Sequence, residues 1–82
     1  MAPKAPMREL VAFIARALVQ DAGAVEVQEV DSERDRVIKL RVAPADLGRV
    51  IGREGRTARA IRTVLGVASA RDDKRAKLDI VD

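Results

Sequence analysis

Apolar and polar positions recur along the chain with two different periods, and the changes of period predict six elements. Residues 7–20 follow a helical period. One arc of that helix is apolar and carries Leu10, Phe13, Ile14, Ala17 and Leu18. We predict that this arc, including Phe13, packs into the core. Asp21-Ala22-Gly23 predicts the end of the helix, because glycine favours the left-handed position that often follows one.

Two strand patterns come next, joined by a polar turn. In residues 25–30 strict alternation would place an apolar side chain at Glu29, so we predict a strand with an irregularity near Gln28. Residues 37–42 alternate cleanly. The turn composition of residues 32–35 predicts that the two strands pair as a hairpin.

Two helices surround a pair of glycines in the second half of the chain. Pro44 suits the first turn of a short helix that reaches Ile51, and Gly52 interrupts it. A longer helix follows Gly55. We predict an inner side made of Ala58, Ile61, Val64, Leu65 and Ala68. The outer side then carries Arg56, Arg59, Arg62 and Thr63.

The chain closes with a polar turn at residues 71–75 and a strand at residues 76–81. The predicted order is α-β-β-α-α-β, a two-layer α+β domain with a three-stranded sheet and its helices on one face. Residues 7–82 are predicted to form a single domain, since 82 residues suffice for one core. Two prolines among residues 1–6 predict a flexible arm before it.

Composition narrows the possible chemistry. The chain is 48% hydrophobic and 35% charged, which is typical of a folded domain. Cysteine and histidine are absent, which excludes disulfides, thiolate zinc sites and catalysis by either side chain. We therefore expect no enzyme activity, metal, cofactor or small-molecule substrate. Phe13 is the only aromatic residue, so base stacking on aromatic rings cannot dominate any nucleic-acid mechanism.

No apolar run approaches the roughly 20 residues that span a bilayer, and residues 1–6 lack the apolar stretch of a secretory signal. We expect a cytoplasmic protein without membrane contact.

Positive charge is concentrated in the second half of the chain. Residues 1–46 carry seven basic and eight acidic side chains, whereas residues 47–82 carry nine and five. The basic residues nearest the glycines are Arg49, Arg53, Arg56, Arg59 and Arg62, with Glu54 as the one acid among them. Such a stripe predicts a polyanionic partner.

The turn Gly52-Arg53-Glu54-Gly55 stands where a helix begins. Glycines let a ligand approach the backbone closely, and the first amides of the following helix favour an anion. Arg53 and Arg56 could add charge-assisted hydrogen bonds to phosphate oxygens. This turn is the candidate binding site.

The run Val50-Ile51-Gly52-Arg53-Glu54-Gly55-Arg56 resembles the signature of KH domains, and the predicted element order is similar to their type II arrangement. The resemblance implies that Gly52–Gly55 clamps the backbone of single-stranded RNA. It implies RNA-binding positions at Arg49, Val50, Ile51, Gly52, Arg53, Glu54, Gly55, Arg56 and Arg59. It also implies a base-binding groove whose wall draws on Val50, Ile51, Ala58 and Ile61, with Ile38 or Leu40, although some of these must be core.

The likeness extends over nearly the whole chain to small bacterial KH proteins. It implies an RNA chaperone or post-transcriptional regulator that acts as a homodimer or with a larger KH-domain protein and affects cell shape and cell-wall homeostasis. Glu54 departs from the usual basic or small loop residues, so it either pairs with a nearby arginine or weakens phosphate binding. The substitution Gly52→Asp is expected to abolish RNA binding and leave the fold intact.

Other interpretations remain for the same residues. The glycine pair could be only a turn, and the arginines only a solvated helix face. Asp72-Asp73 are expected to be solvated charges rather than a metal site. The alternative function is a protein-interaction module that keeps the KH fold for dimerisation and binds little RNA.

Overall fold

The computed structural model describes residues 7–70 and 75–81, and within them it confirms the predicted order of elements. The predicted arm at residues 1–6 and most of the predicted turn, including Asp72-Asp73, lie outside the described residues. The helices and strands are α1 (Met7–Leu18), β1 (Glu26–Asp31), β2 (Asp35–Arg41), α2 (Leu47–Ile51), α3 (Arg56–Ala68) and β3 (Arg75–Val81). Short 3₁₀ turns lie at Ala22–Ala24, Pro44–Asp46 and Arg53–Gly55.

The three strands form one mixed sheet in the order β1-β2-β3. Strands β1 and β2 make an antiparallel hairpin, and the Ser32 N–H donates to the Asp35 carbonyl oxygen at 2.8 Å in its turn. Strand β3 lies parallel to β2, with Ile38 opposite Leu78. A parallel neighbour requires a crossover, and α2 and α3 supply it. The crossover is therefore the segment that carries the glycine pair.

The pairing of β1 with β2 contains no bulge. It runs in unbroken register from Glu26 opposite Arg41 to Asp31 opposite Arg36, so the predicted irregularity near Gln28 is wrong. Glu29 occupies the inward position that seemed to require an apolar residue. It is half-buried at the edge of the sheet, and its carboxylate lies 3.3 Å from the Arg36 Nε. An edge position with an ionic partner tolerates the acid there.

One face of the sheet carries the core. Ile38 and Leu40 are buried, whereas Lys39 and Arg41 beside them on β2 are exposed, because alternate side chains of a strand point to opposite faces. The helices cover the Ile38 side, which confirms the two-layer arrangement. Among the described residues the core has no aromatic side chain, and besides Met7 it includes Val11, Ala15, Val25, Ile38, Leu40, Val42, Val50, Ile61, Leu65 and Leu78. No helix within residues 7–70 or 75–81 combines the length and apolarity needed to cross a membrane.

Helix α1 packs through a different arc from the predicted one. Its buried side chains are Met7, Val11, Ala12 and Ala15. Phe13 is 73% exposed, so its predicted core position is wrong. Leu10 and Leu18 are half-buried at the margin of the core. Most positions of this helix are apolar, so the helical period fits several arcs equally well, and packing on the sheet selects among them.

Helix α3 buries a narrower stripe than predicted. Ala58, Ile61 and Leu65 are buried as expected, but Val64 is 42% exposed and Ala68 is exposed. The two exposed residues lie to one side of the buried stripe. They therefore belong to the surface of the domain and not to its core.

Candidate nucleic-acid interface

The turn between α2 and α3 depends on glycine at its first position. Gly52 has φ +77° and ψ 170°, a conformation that side chains disfavour, and its N–H donates to the Gly48 carbonyl oxygen at 2.8 Å. A Cβ built on Gly52 would lie 2.6 Å from the Thr57 Cβ and 2.8 Å from the Thr57 N, and it would also meet the Thr57 Oγ1. The first turn of α3 thus approaches Gly52 too closely for any side chain.

This contact corrects one expectation. The substitution Gly52→Asp would place a side chain against Thr57 at positive φ, so it would disturb the local fold as well as binding. Loop function is better tested at positions whose side chains are exposed.

Glu54 and Gly55 both adopt the left-handed region. Glu54 has φ 58° and ψ 24°, and Gly55 has φ 75° and ψ 11°. The Gly55 N–H donates to the Gly52 carbonyl oxygen at 3.1 Å, and the Arg56 N–H donates to Arg53. A Cβ at Gly55 would meet no atom within 4 Å. Gly55 is therefore needed for its backbone conformation and not for close packing.

Helix α3 begins at Arg56. Its N-cap residue is Gly55, so no side-chain hydrogen bond caps the helix. The N-terminal end of a helix carries partial positive charge. Arg53, Arg56 and Arg59 are exposed around this end. The turn, the helix end and the arginines together form a positively charged surface at which an oxyanion can bind the backbone and the guanidinium groups at once.

Glu54 faces one of these arginines. Its Oε2 lies 3.7 Å from the Arg56 Nη2, and the two side chains are 71% and 72% exposed. Exposed ion pairs contribute about 0–1 kcal/mol, so a phosphate can replace this one at little cost. Of the two alternatives for Glu54, the geometry favours pairing with a nearby arginine.

Arg49 lies on α2, one turn before the glycines, and pairs with a buried acid. Its Nε is 3.3 Å from the Asp46 Oδ1. Asp46 also accepts the N–H groups of Asp21 at 3.0 Å and Gln20 at 3.1 Å. These backbone hydrogen bonds, from Asp21 first, lower the pKa of Asp46, and the positive charge of Arg49 lowers it further, while burial opposes them.

The predicted groove wall is mostly core. Among its candidates only Ile51 is exposed, at 37%. The others are buried in the core and expose little surface for contact with a base: Ile38, Leu40, Val50, Ala58 and Ile61. Val50, which we also predicted to bind RNA, is fully buried next to the turn, and its role in RNA binding stays a prediction.

Two residues that matter for this site were not singled out from the sequence. Thr57 sets the steric limit at Gly52, and Asp46 joins α2 to the end of α1. An aspartate just before a helix indicates an N-cap, but its actual partners are distant in sequence and no local pattern indicates them. Among the described residues, no three acidic, histidine or cysteine side chains are placed to hold a metal ion.

Comparison with known proteins identifies relatives over most of the chain. The family described as KhpA/KhpB, KH domain, matches residues 8–80. The protein named "RNA-binding protein KhpA" of Caldanaerobacter subterraneus is 47% identical over 75 residues, which cover 92% of this chain and 100% of the relative. The protein of the same name from Borreliella burgdorferi is 42% identical over 74 residues, 90% of each chain. That from Halalkalibacterium halodurans is 45% identical over 76 residues, 93% of this chain and 100% of the relative.

No solved structure matches the chain. The matched family consists of KH domains, which are binding modules without catalytic activity, and on that ground the expectation of a non-enzymatic protein is confirmed.

Proposed function

Because this chain belongs to the KhpA/KhpB family of KH domains, we propose that it binds single-stranded RNA through the turn Gly52–Gly55. The observation that carries the proposal is the turn itself. The turn requires glycine at Gly52, because a side chain there would collide with Thr57. An uncapped helix end follows the turn, and exposed arginines surround it. Such a surface has the charge and backbone access that the sugar–phosphate chain requires.

In this mechanism the arginines divide the phosphate contacts among them. Arg53 and Arg56 hold the phosphates nearest the turn, and Arg59 holds one farther along α3. The phosphate that reaches Arg56 displaces the exposed carboxylate of Glu54, which then turns to solvent. Gly52 and Gly55 contribute their backbone, since neither presents a side chain that would keep the RNA away.

Base contacts are expected to be few. Ile51 offers a half-exposed apolar side chain beside the turn, and the one aromatic ring, Phe13, belongs to α1, where it lines a groove with Ala12 and Val27 of β1. Base stacking on aromatic rings contributes about 1–3 kcal/mol per base where it occurs. Without it, binding should be weak and tolerant of sequence.

We further propose that the protein acts as an RNA chaperone or post-transcriptional regulator in the cytoplasm, as a homodimer or with a larger KH-domain protein, and that it affects cell shape and cell-wall homeostasis. The family description, which joins KhpA with KhpB, supports the idea of such a partner. A second candidate function, a protein-interaction module, is favoured by exposed apolar side chains: Phe13 and Val67 are each 73% exposed.

The experiment is a fluorescence-anisotropy titration of a short labelled single-stranded RNA at two salt concentrations. We compare the wild-type protein with the double variant Arg53→Asp, Glu54→Asp. Both side chains are exposed, and aspartate tolerates the left-handed conformation of Glu54. Arg34→Asp is the matched control. Arg34 is an exposed arginine in the hairpin turn, at the opposite end of β2 from the glycines.

We expect wild-type affinity to fall with salt, with a logarithmic slope of about −0.7 for each phosphate contact on a single strand. The double variant should lose binding and the Arg34 control should keep it. Equal binding by the double variant and the wild type would refute the role of the turn. Absence of RNA binding by the wild type, together with salt-insensitive self-association, would favour the interaction module.

A further inference from the structure

The carboxylate of Asp46 joins two parts of the chain that are distant in sequence. Asp46 is 3% exposed and ends the 3₁₀ turn before α2. Its Oδ1 accepts the Gln20 N–H at 3.1 Å, and its Oδ2 accepts the Asp21 N–H at 3.0 Å. Both oxygens are thus bonded to the segment that follows α1.

The position of Asp46 makes these partners unexpected. An aspartate at the N-cap commonly accepts hydrogen bonds from the first amides of its own helix. Asp46 is the N-cap of α2 and makes no such bond. Its hydrogen bonds therefore fix where α2, and the glycine turn that follows it, lie relative to α1.

Asp46 also fixes a side chain at the surface. The Arg49 Nε lies 3.3 Å from the Asp46 Oδ1, and the Arg49 side chain is 49% exposed. A guanidinium presents five N–H donors in a rigid fork, so donors remain for a second acceptor. A long side chain that is already ordered loses less conformational entropy when it binds a ligand.

We propose that Asp46 is a positioning residue for RNA binding. It does not touch RNA; it orients the Arg49 guanidinium towards a phosphate and holds α2 in the place from which the turn can reach the same strand. This inference rests on the proposed function.

The loss of negative charge and the loss of positioning predict opposite changes in RNA affinity for the substitution Asp46→Asn. Removing a negative charge near a phosphate site should tighten RNA binding if only the field matters. Asp46 accepts the two backbone N–H groups with separate oxygens, and asparagine puts an NH₂ donor in place of one of them. Asparagine also no longer attracts Arg49 as an ion. If Asp46 acts by positioning, binding weakens in spite of the more positive charge.

The test is a double-mutant cycle with Asp46→Asn, Arg49→Gln and the pair, using anisotropy with single-stranded RNA for affinity and far-UV circular dichroism for folding. We expect Asp46→Asn to weaken binding about three- to tenfold in the wild-type background and less than about twofold when Arg49 is already glutamine. Asp79→Asn is the matched control, because it makes the same change of charge at an exposed position of β3. It should leave binding unchanged or slightly tighter.

A second variant guards against a folding defect in Asp46→Asn. The substitution Arg49→Lys leaves Asp46 in place and keeps the positive charge, but it removes the rigid fork that the carboxylate orients. Positioning predicts weaker RNA binding by this variant with an unchanged melting temperature. In the free protein, the Arg49 Nε–H proton should exchange slowly with solvent by nuclear magnetic resonance, and this protection should be lost in Asp46→Asn.

The outcomes separate the two proposals. The positioning role is overturned if Asp46→Asn binds RNA as tightly as the wild type or more tightly. It is also overturned if Asp46→Asn weakens binding equally in the wild-type and Arg49→Gln backgrounds. Either result leaves the proposed function standing. Rapid exchange of the Arg49 Nε–H in the wild type overturns the positioning role as well. No RNA binding by the wild type overturns the proposed function and, with it, this role of Asp46.

Discussion

Gly52 and Gly55 both have a positive φ but differ in ψ and in their surroundings, which allows a quantitative prediction. Gly52 has φ +77° and ψ 170°, whereas Gly55 has φ +75° and ψ 11°, in the left-handed region. A Cβ at Gly55 would meet open space, whereas a Cβ at Gly52 would meet Thr57. Alanine at Gly55 therefore adds only conformational strain, and alanine at Gly52 adds strain and a collision.

The expected magnitudes follow from these two terms. A non-glycine residue in the left-handed region costs about 1–2 kcal/mol, which is the full cost expected for Gly55→Ala. The Thr57 Oγ1 can rotate away from a new Cβ at Gly52, but the Thr57 backbone nitrogen at 2.8 Å cannot. Overpacking of this kind costs about 1–3 kcal/mol more. Gly52 itself lies at φ and ψ values that are essentially restricted to glycine, and another residue there costs about 1–3 kcal/mol. With the collision added, Gly52→Ala should lower the free energy of unfolding by about 2–6 kcal/mol.

The assay is urea denaturation followed by far-UV circular dichroism, since the chain has no tryptophan or tyrosine to report by fluorescence. In a small domain each kcal/mol shifts the melting temperature by about 4–8 °C, so thermal melts should separate the two variants clearly. Equal destabilisation by Gly52→Ala and Gly55→Ala would refute the reasoning, because it would mean that Thr57 imposes no steric limit.

Two further predictions concern the buried acid and the exposed ring. Because hydrogen bonds lower the folded-state pKa of Asp46 from its ordinary 3.8, its ionised form stabilises the fold above that pH, and this contribution is lost as pH falls through the lowered value. The stability gap between wild type and Asp46→Asn in urea should therefore be larger at about pH 7 than at about pH 2; a constant gap would contradict this. Phe13→Ala should change the free energy of unfolding by less than about 0.5 kcal/mol, whereas Leu65→Ala at a fully buried position should lower it by about 2–5 kcal/mol; a reversed order in denaturation would place Phe13 in the core.

The sequence predicts a helix or strand well where its apolar residues fit one periodic pattern and no other. Strand β2 alternates strictly, and Gly52 interrupts an otherwise continuous helical pattern, so both boundaries are close to those observed. Helix α1 has apolar residues almost all round, and its period alone could not show that Val11 is buried and Phe13 exposed.

Some features of the candidate site could likewise be predicted from the sequence, and others could not. Its backbone chemistry is local, so two glycines and a following helix predict the turn and the arginines that surround it. Which residues of the site are buried and which are exposed depends on packing against distant parts of the chain, so local sequence does not predict it. Val50 and Ile51 are adjacent and equally apolar, yet one is fully buried and the other 37% exposed, because α2 is too short for its period to be read before the glycine ends it.

The surface that is proposed to hold RNA is thus set largely by residues that RNA would not touch. Thr57 leaves no room for a side chain at Gly52. Both carboxylate oxygens of Asp46 accept hydrogen bonds from the segment after α1. The first contact restricts the composition of the turn, and the second fixes its place in the domain. A variant that keeps the glycines and arginines but changes Asp46 or Thr57 would therefore retain every residue of the KH signature and still alter the geometry on which phosphate binding depends. For this reason the signature is sufficient to identify the turn, while its affinity for RNA should depend on contacts outside it.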